Sequence, residues 1–238
     1  MHRVGTAGWA IPAALRDAFP AEGSTLQRYA ARFDTAEINS SFHRPHRRST
    51  YERWATSVPD GFRFAVKLPK SITHERRLVD AAVPIARFAE EVDGLGAKRG
   101  PVLVQLPPSL VFDADVVGAF LALLRTALTG AVVCEPRHPS WFPSEVDVFL
   151  AAHEVARAAA DPAPVPAAAQ PGGWRGLTYA RWHGSPAMYR SSYDPRTLAA
   201  HAALASSAGE SWTIYDNTML GAATSNALTL KASLGAGA

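Results

Sequence analysis

Polar side chains spaced two residues apart recur along this sequence, and their types suit acid–base chemistry on an anion. The pairs are Glu37 with Asn39, Glu135 with Arg137, and Arg181 with His183. Successive side chains of a strand point to opposite faces, so the members of each pair share a face if these segments are strands. Carboxylates and histidine transfer protons, and arginine stabilises negative charge. The spacing predicts a polar site that acts on an anionic small molecule, phosphorylated or otherwise.

Two sets of residues are predicted to form this site. The predicted catalytic residues are Glu37, Lys67, Glu135, His183 and Asp216. The predicted substrate-binding residues are Thr6, Trp9, Asn39, His74, Gln105, Arg137, His138, Arg181 and Asn217. Carboxylates in such a set can serve as general acids or bases, and cations can neutralise the anion. We expect a hydrolase, lyase or isomerase type of reaction.

Glu135, Arg137 and His183 are predicted to matter more for activity than for folding. A carboxylate held between Arg137 and Arg181 would stay ionised, with a lowered pKa, which suits an anchor or an electrostatic stabiliser. His183, with an ordinary pKa of about 6.5, is then the better proton carrier. The alternative is structural, because Glu135 could simply neutralise its arginine neighbours.

The elements that must position these residues alternate between strands and helices. Short β-rich runs begin near Val4, Asp34, Arg63, Val102, Ala131, Val155, Thr178 and Trp212. Helical periodicity lies between them, and Asp113, Ser144 and Asp194 are candidate N-caps. Eight such units predict an α/β fold of the TIM (β/α)8-barrel type, one domain over residues 1–238, with the polar site at the carboxyl ends of the strands. An open, doubly wound sheet is the alternative.

Composition is typical of a globular protein. The chain has 238 residues, 47% of them hydrophobic, and a single cysteine, Cys134. No stretch approaches the roughly 20 apolar residues of a membrane span, and the first residues lack a signal-peptide pattern. We expect no membrane partner and a cytoplasmic location. Residues 162–173 are rich in alanine and proline, which predicts an irregular loop after the sixth strand.

Positive charge is concentrated in one window and suggests a second interpretation. Residues 41–80 hold nine Lys/Arg against four Asp/Glu, a net of +5, although the whole chain has a net charge of only +3. The arginines of this window should form a positive rim that attracts anions, or else a solvated face. They are Arg44, Arg47, Arg48, Arg76 and Arg77. The alternative function is therefore a non-catalytic or nucleic-acid-binding barrel that uses this basic rim.

A divalent metal is a further possibility on ligand types alone. The oxygen and nitrogen ligands that could hold it are Glu37, Glu135, His138, Asp161, His183 and Asp216. The sequence has no tight signature such as His-Glu-x-x-His, so the signal for a metal site is weak. The identity of a cofactor stays open.

Eight motifs in order carry a family resemblance. They are Gly5-Thr6-Ala7-Gly8-Trp9, Ala36-Glu37-Ile38-Asn39-Ser40-Ser41-Phe42, Phe62-Arg63-Phe64-Ala65-Val66-Lys67, Ile72-Thr73-His74, Gln105-Leu106-Pro107-Pro108-Ser109, Glu135-Pro136-Arg137-His138-Pro139-Ser140-Trp141, Arg181-Trp182-His183-Gly184 and Asp216-Asn217-Thr218. From about Val4 to Leu230 the chain resembles the YecE-like family, domain of unknown function 72. The resemblance implies a TIM barrel and carries no established activity. His43 and Pro136 stand where the family commonly has tyrosine and phenylalanine.

Overall fold

The strands and helices of the protein alternate along most of the chain. The computed structural model describes residues 1–236. The strands are β1 (His2–Thr6), β2 (Thr35–Ile38), β3 (Arg63–Lys67), β4 (Arg99–Gln105), β5 (Val132–Glu135), β6 (Val155–Arg157), β7 (Ala159–Asp161), β8 (Gly172–Gly173), β9 (Thr178–Trp182) and β10 (Ser211–Tyr215). The helices are α1 (Thr25–Ala30), α2 (Arg48–Thr56), α3 (Ala82–Val92), α4 (Ala114–Ala127), α5 (Ser144–Ala152), α6 (Pro195–Ser206) and α7 (Ala222–Ala236).

The strands form two sheets. One sheet is parallel throughout and has the order β1-β10-β9-β7. The other has the order β2-β3-β4-β5-β6-β8; it is parallel except for the last pair, in which β6 runs antiparallel to β8. Between the sheets, an isolated bridge joins Ala7 to Glu37. Side chains at the carboxyl ends of strands from both sheets contact one another, so these ends lie together.

The prediction of a (β/α)8-barrel, which the family resemblance also implied, is wrong for the described residues, because their strand pairing does not close one sheet on itself. The expected sixth strand is divided at Ala158 into β6, which pairs with β5, and β7, which pairs with β9 of the other sheet. The free edge of β6 is taken by the two glycines of β8. The fold is α/β with one parallel and one mixed sheet.

Alternation along the strands places small and apolar residues between the sheets. A buried cluster draws on both sheets and includes Ala65, Leu103, Val133, Tyr179 and Ile214. The opposite faces of the strands belong to the main core, which contains Ile38, Val66, Cys134 and Trp182 together with apolar residues of the helices. Residues two positions after the members of the cluster between the sheets point to the same face and lie at the carboxyl ends of the strands. The strands position the polar site in this way.

Local signals in the sequence have mixed outcomes. Asp113 caps α4 and Asp194 caps α6 through their carboxylate oxygens, as predicted. Ser144 is wrong as an N-cap, because Pro143 holds that position and Ser144 begins α5. The 162–173 segment is an irregular loop in part, and it also contains a short 3₁₀ helix and the unexpected strand β8. No helix within residues 1–236 combines the length and apolar character needed to cross a lipid bilayer.

Candidate functional site

Arg181, on β9, is the centre of a buried charge network at the carboxyl ends of the strands. Its side chain is 1% exposed and bonds three carboxylates. Nη2 and Nε donate to the two oxygens of Glu37 at 2.7 and 2.9 Å, and Nη1 donates to Glu135 at 2.9 Å. Nη2 also donates to Asp216 at 3.0 Å. These bonds join β2, β5, β9 and β10, so Arg181 ties the two sheets together.

Glu37 and Glu135 each have further donors. The hydroxyl of Tyr179 donates to Glu37 at 3.0 Å. Nε of Arg137 donates to the second oxygen of Glu135 at 3.0 Å. Burial would raise the pKa of Glu135, but the guanidinium groups of Arg181 and Arg137 outweigh burial and hold that pKa well below its usual range. The lowered pKa predicted for a carboxylate between two arginines is confirmed.

His183 has a fixed tautomer in this network. Its Nδ1 donates to the carbonyl oxygen of Asp161 at 2.8 Å, and its Nε2 accepts from Arg181 at 2.8 Å and Arg137 at 3.0 Å. Burial lowers the pKa of His183 to about 3, and the two guanidinium groups act in the same direction. The ordinary pKa that the sequence suggested is therefore wrong. A neutral imidazole without a free nitrogen positions the arginines better than it carries protons.

Lys67, at the end of β3, differs from the other cations of the site. Its Nζ lies 4.0 Å from the centre of the Phe42 ring, within range of a cation–π interaction. Within residues 1–236, it has no ion pair inside 4 Å to a carboxylate. Burial and then the charge of Arg181 lower the pKa of Lys67 to about 8. Its ammonium can therefore lose a proton near neutral pH.

Asp216 follows β10 and faces the same space. Burial raises the pKa of Asp216 to about 6; Arg181 opposes this shift, and the negative charge of Glu37 adds to it. The charges of Lys67 and Asp216 affect each other's pKa values. We call seven residues the carboxyl-end cluster: Glu37, Lys67, Glu135, Arg137, Arg181, His183 and Asp216. With His183 neutral and the others ionised, the cluster holds three positive and three negative charges.

Other predicted substrate-binding residues have structural partners. The hydroxyl of Thr6 donates to the carbonyl oxygen of Gly8 at 2.7 Å. The ring of Trp9 packs edge-on against Trp54. His138 accepts from the backbone N–H of Ser140 at 3.2 Å and caps a short 3₁₀ helix. The structure does not bring these three residues into the network around Arg181.

The remaining predicted binding residues lie around the cluster. Asn217 is buried and donates to the side chain of Asn226 at 2.9 Å. His74 is half-buried, and its pKa is lowered by burial and then by the charge of Lys67. Gln105 and Asn39 are also half-buried, and Gln105 pairs in register with Glu135. The Oδ1 atoms of Asn39 and Asn217 are buried and have no hydrogen-bond partner among residues 1–236.

The sequence left a metal site as a possibility at this end and predicted a basic rim beside it. Residues 1–236 contain no group of three or more His, Cys, Asp or Glu side chains placed to share a metal ion. In the basic window, Arg48 pairs with Glu52 and Asp93, and Arg77 donates to Ser109, so part of its positive charge is used in local contacts. Arg44 lines a separate cavity of about 310 Å³ beside Phe42 and Lys70.

Two residues that support the cluster were missed in the sequence. Tyr179 bonds Glu37, and Phe42 faces Lys67. Tyr179 lies two residues before Arg181, so the alternation that selected Arg181 could have found it. Phe42 follows the second strand in a 3₁₀ helix, and nothing in a strand pattern predicts its contact with Lys67.

Comparisons with known proteins agree with the sequence motifs. The family described as "Protein of unknown function DUF72" matches residues 3–238. The chain is 27% identical over 120 residues to the UPF0759 protein YecE of Escherichia coli (strain K12), covering 50% of this chain and 43% of YecE. It is 26% identical over 153 residues to the UPF0759 protein YunF of Bacillus subtilis, covering 60% of this chain and 52% of YunF. These matches span about half the length of either relative.

Solved structures support the same grouping. A DUF72 family protein from Enterococcus faecalis has a TM-score of 0.82 at 21% identity, covering 99% of this chain and 96% of that one. A DUF72 family protein from Thermotoga maritima has a TM-score of 0.78 at 24% identity, covering 99% of both chains. At these identities the likeness concerns the fold alone. Because the family match spans nearly the whole sequence, the resemblance to YecE-like proteins is confirmed, and the chain belongs to the DUF72 family of proteins of unknown function.

Proposed function

We propose that the carboxyl-end cluster is the active site of an enzyme that acts on an anionic small molecule. The observation that carries the proposal is the contrast between Lys67 and the ion-paired arginines around it. Arg181 donates to three carboxylates, whereas among residues 1–236 the one close partner of the Lys67 ammonium is the ring of Phe42. A buried cation of this kind is suited to a negatively charged or developing anionic group.

Lys67 and Asp216 supply complementary proton-transfer groups. With pKa values of about 8 and about 6, Lys67 is mostly protonated and Asp216 mostly ionised at pH 7. Groups with pKa values close to the working pH make efficient general acids and bases. Asp216 is therefore proposed as the base and Lys67 as the acid. A paired acid and base of this type fits a hydrolase, a lyase or an isomerase.

The other members of the cluster would bind the substrate or hold the neighbouring side chains in position. Arg137 has a side chain that is 12% exposed, and its Nη1 has only a 3.5 Å contact with the carbonyl oxygen of Pro162. That edge of its guanidinium can bind a phosphate or carboxylate oxygen. Glu37, Glu135 and Arg181 hold the geometry, and His183 fixes both arginines through Nε2. His74, Gln105 and Asn39 are proposed as contacts around the substrate.

The test is a screen for turnover and thermal stabilisation with phosphorylated and carboxylated metabolites. We expect a compound that stabilises the wild type to be turned over, with loss of about 100-fold or more in kcat for Lys67→Met and for Asp216→Asn. Lys98→Met is the matched control, because Lys98 lies before β4, at the amino end of its strand, and bonds the carbonyl oxygen of Pro59. Turnover that persists in both cluster variants contradicts the proposal.

A further inference from the structure

The amino ends of the strands form a second polar cavity, at the opposite end of the strands from the carboxyl-end cluster. It has a volume of about 380 Å³. We call it the amino-end pocket, and its polar and aromatic lining consists of Arg3, Arg63, Arg99, Thr129, Glu210 and Trp212. Arg3 lies near the start of β1, Arg63 begins β3 and Arg99 begins β4. The pocket therefore draws its cations from both sheets.

Arg3 is held rigidly in this pocket. Its Nη1 donates to the carbonyl oxygens of Gly61 at 2.9 Å and Asp34 at 3.2 Å, and its guanidinium lies 5.5 Å from the centre of the Trp212 ring. Burial lowers the pKa of Arg3; the carboxylate of Asp34 opposes this shift, and the nearby positive charge of Arg63 adds to it. The two arginines thus lie close enough to repel each other.

Arg99 provides the donor that points to a ligand. Its Nη2 donates to the hydroxyl of Thr129 at 3.1 Å. Its Nη1 is buried and has no hydrogen-bond partner in the described part of the chain. A buried charged donor without an acceptor costs stability, so such groups are normally satisfied by a partner or a bound species.

These three arginines form no close ion pair with a carboxylate in the described part of the chain. None of Arg3, Arg63 and Arg99 has a carboxylate oxygen within 4 Å among residues 1–236. Glu210 is the acidic residue of the lining, and it accepts from Nε1 of Trp212 at 3.2 Å. The lining therefore holds three positive charges and one negative charge. Guanidinium groups arranged without carboxylates match the geometry of phosphate oxygens.

We infer that the amino-end pocket is a binding site for a small phosphate-bearing anion, separate from the carboxyl-end cluster. The size of the pocket suits a compact group with one or two phosphates. Guanidinium N–H groups of Arg63 and Arg99 would donate to its oxygens, and Arg3 would supply fixed positive charge. This inference does not depend on the proposed enzymatic function.

Pyrophosphate binding measured by calorimetry at constant ionic strength tests the inference. We expect saturable binding to the wild type, weakened about tenfold or more by Arg99→Gln and by Arg63→Gln. Arg99→Lys keeps the charge but loses the planar donor pair, so it should bind with intermediate affinity. The matched control is Arg16→Gln, since Arg16 is an exposed arginine on the segment after β1 and lies outside the pocket lining.

Lys67→Met distinguishes this pocket from the carboxyl-end cluster. Binding that survives Lys67→Met and Arg16→Gln but is lost in the Arg99 and Arg63 variants supports the amino-end pocket. The inference is overturned by absent binding to the wild type, by equal affinity in Arg99→Gln, or by loss in Lys67→Met alone. Melting temperatures of all variants show whether each one is folded, and Arg99→Lys provides the comparison if Arg99→Gln does not fold.

Discussion

The arginines at the two ends of the strands have different hydrogen-bond partners. At the carboxyl end, Arg181 donates to three carboxylates and Arg137 to one. At the amino end, Arg3 and Arg63 donate to backbone carbonyl oxygens, and the buried Nη1 of Arg99 has no acceptor within the described residues. Paired guanidinium groups fix a geometry, whereas unpaired ones leave donors for a ligand. The difference predicts that substitutions at the carboxyl end disturb folding far more than substitutions at the amino end.

The largest effect is expected for Arg181→Met. This change leaves Glu37, Glu135 and Asp216 buried without their shared cation. Breaking a buried ion network on one side costs about 3–5 kcal/mol, so the variant should unfold at a much lower urea concentration or fail to fold. Arg53→Met, on the exposed side of α2, is the control and should change stability by no more than about 0.5 kcal/mol. Equal urea midpoints for wild type and Arg181→Met would show that the network does not stabilise the fold.

A smaller and pH-dependent loss is expected for Glu135→Gln. The amide keeps the shape but removes the charge that Arg137 and Arg181 contact, which should cost about 3 kcal/mol at pH 7. The native pKa of Glu135 is lowered, so its contribution to stability is complete above its ordinary value of 4.5 and is lost as the pH falls below that value.

Urea unfolding of both proteins between pH 7 and pH 3 measures this difference. The gap in unfolding free energy between wild type and Glu135→Gln should narrow as the pH falls. A gap that stays constant over this range contradicts the lowered pKa. A loss of stability at pH 7 would also contradict the prediction, made from the sequence, that Glu135 matters more for activity than for folding.

Much of the carboxyl-end cluster could be predicted from the sequence because strand alternation is strictly local. Once Glu135 and Arg181 are placed on strands, the residues two positions further on must share their faces. The pKa of His183 could not be predicted in this way. It depends on the carbonyl oxygen of Asp161 and on burial, which are set by the pairing of β7 with β9.

The arrangement of the sheets could not be predicted from local sequence patterns either. A β-rich run from Val155 to Asp161 predicts one strand, yet the chain changes partners at Ala158. That exchange depends on Gly172 and Gly173, which return to pair with β6. Pairing between segments far apart in sequence leaves no periodic signal in either segment. The arginines of the amino-end pocket were visible at strand starts, but only their positions in three dimensions show that they share a cavity.

An intermediate effect concerns Asp216, a carboxylate of the carboxyl-end cluster with a raised pKa. Its resonance in a carboxyl ¹³C NMR titration should move with a midpoint of about 6. Asp194, the exposed N-cap of α6, is the matched control, because backbone N–H donors lower its pKa below the ordinary value. Since the native pKa of Asp216 is raised, its ionisation destabilises the native state as the pH rises through 6. A midpoint near 4 for Asp216 would remove it as the proposed base.

The smallest effect is expected at the amino end, for Arg99→Gln without added phosphate. Among residues 1–236, this change removes one side-chain hydrogen bond, to Thr129, and no carboxylate contact within 4 Å, and it lowers the positive charge of the pocket lining. The unfolding free energy should therefore change by about 0.5 kcal/mol or less, in contrast to Arg181→Met.

The salt dependence of stability tests the amino end further, because ions screen repulsion between partly exposed charges over about 10 Å at 0.1 M. Raising the sodium chloride concentration should stabilise the wild type more than Arg99→Gln. An identical salt response in urea unfolding would mean that the three guanidinium groups do not repel one another, and a loss as large as that of Arg181→Met would show that Arg99 is a structural residue.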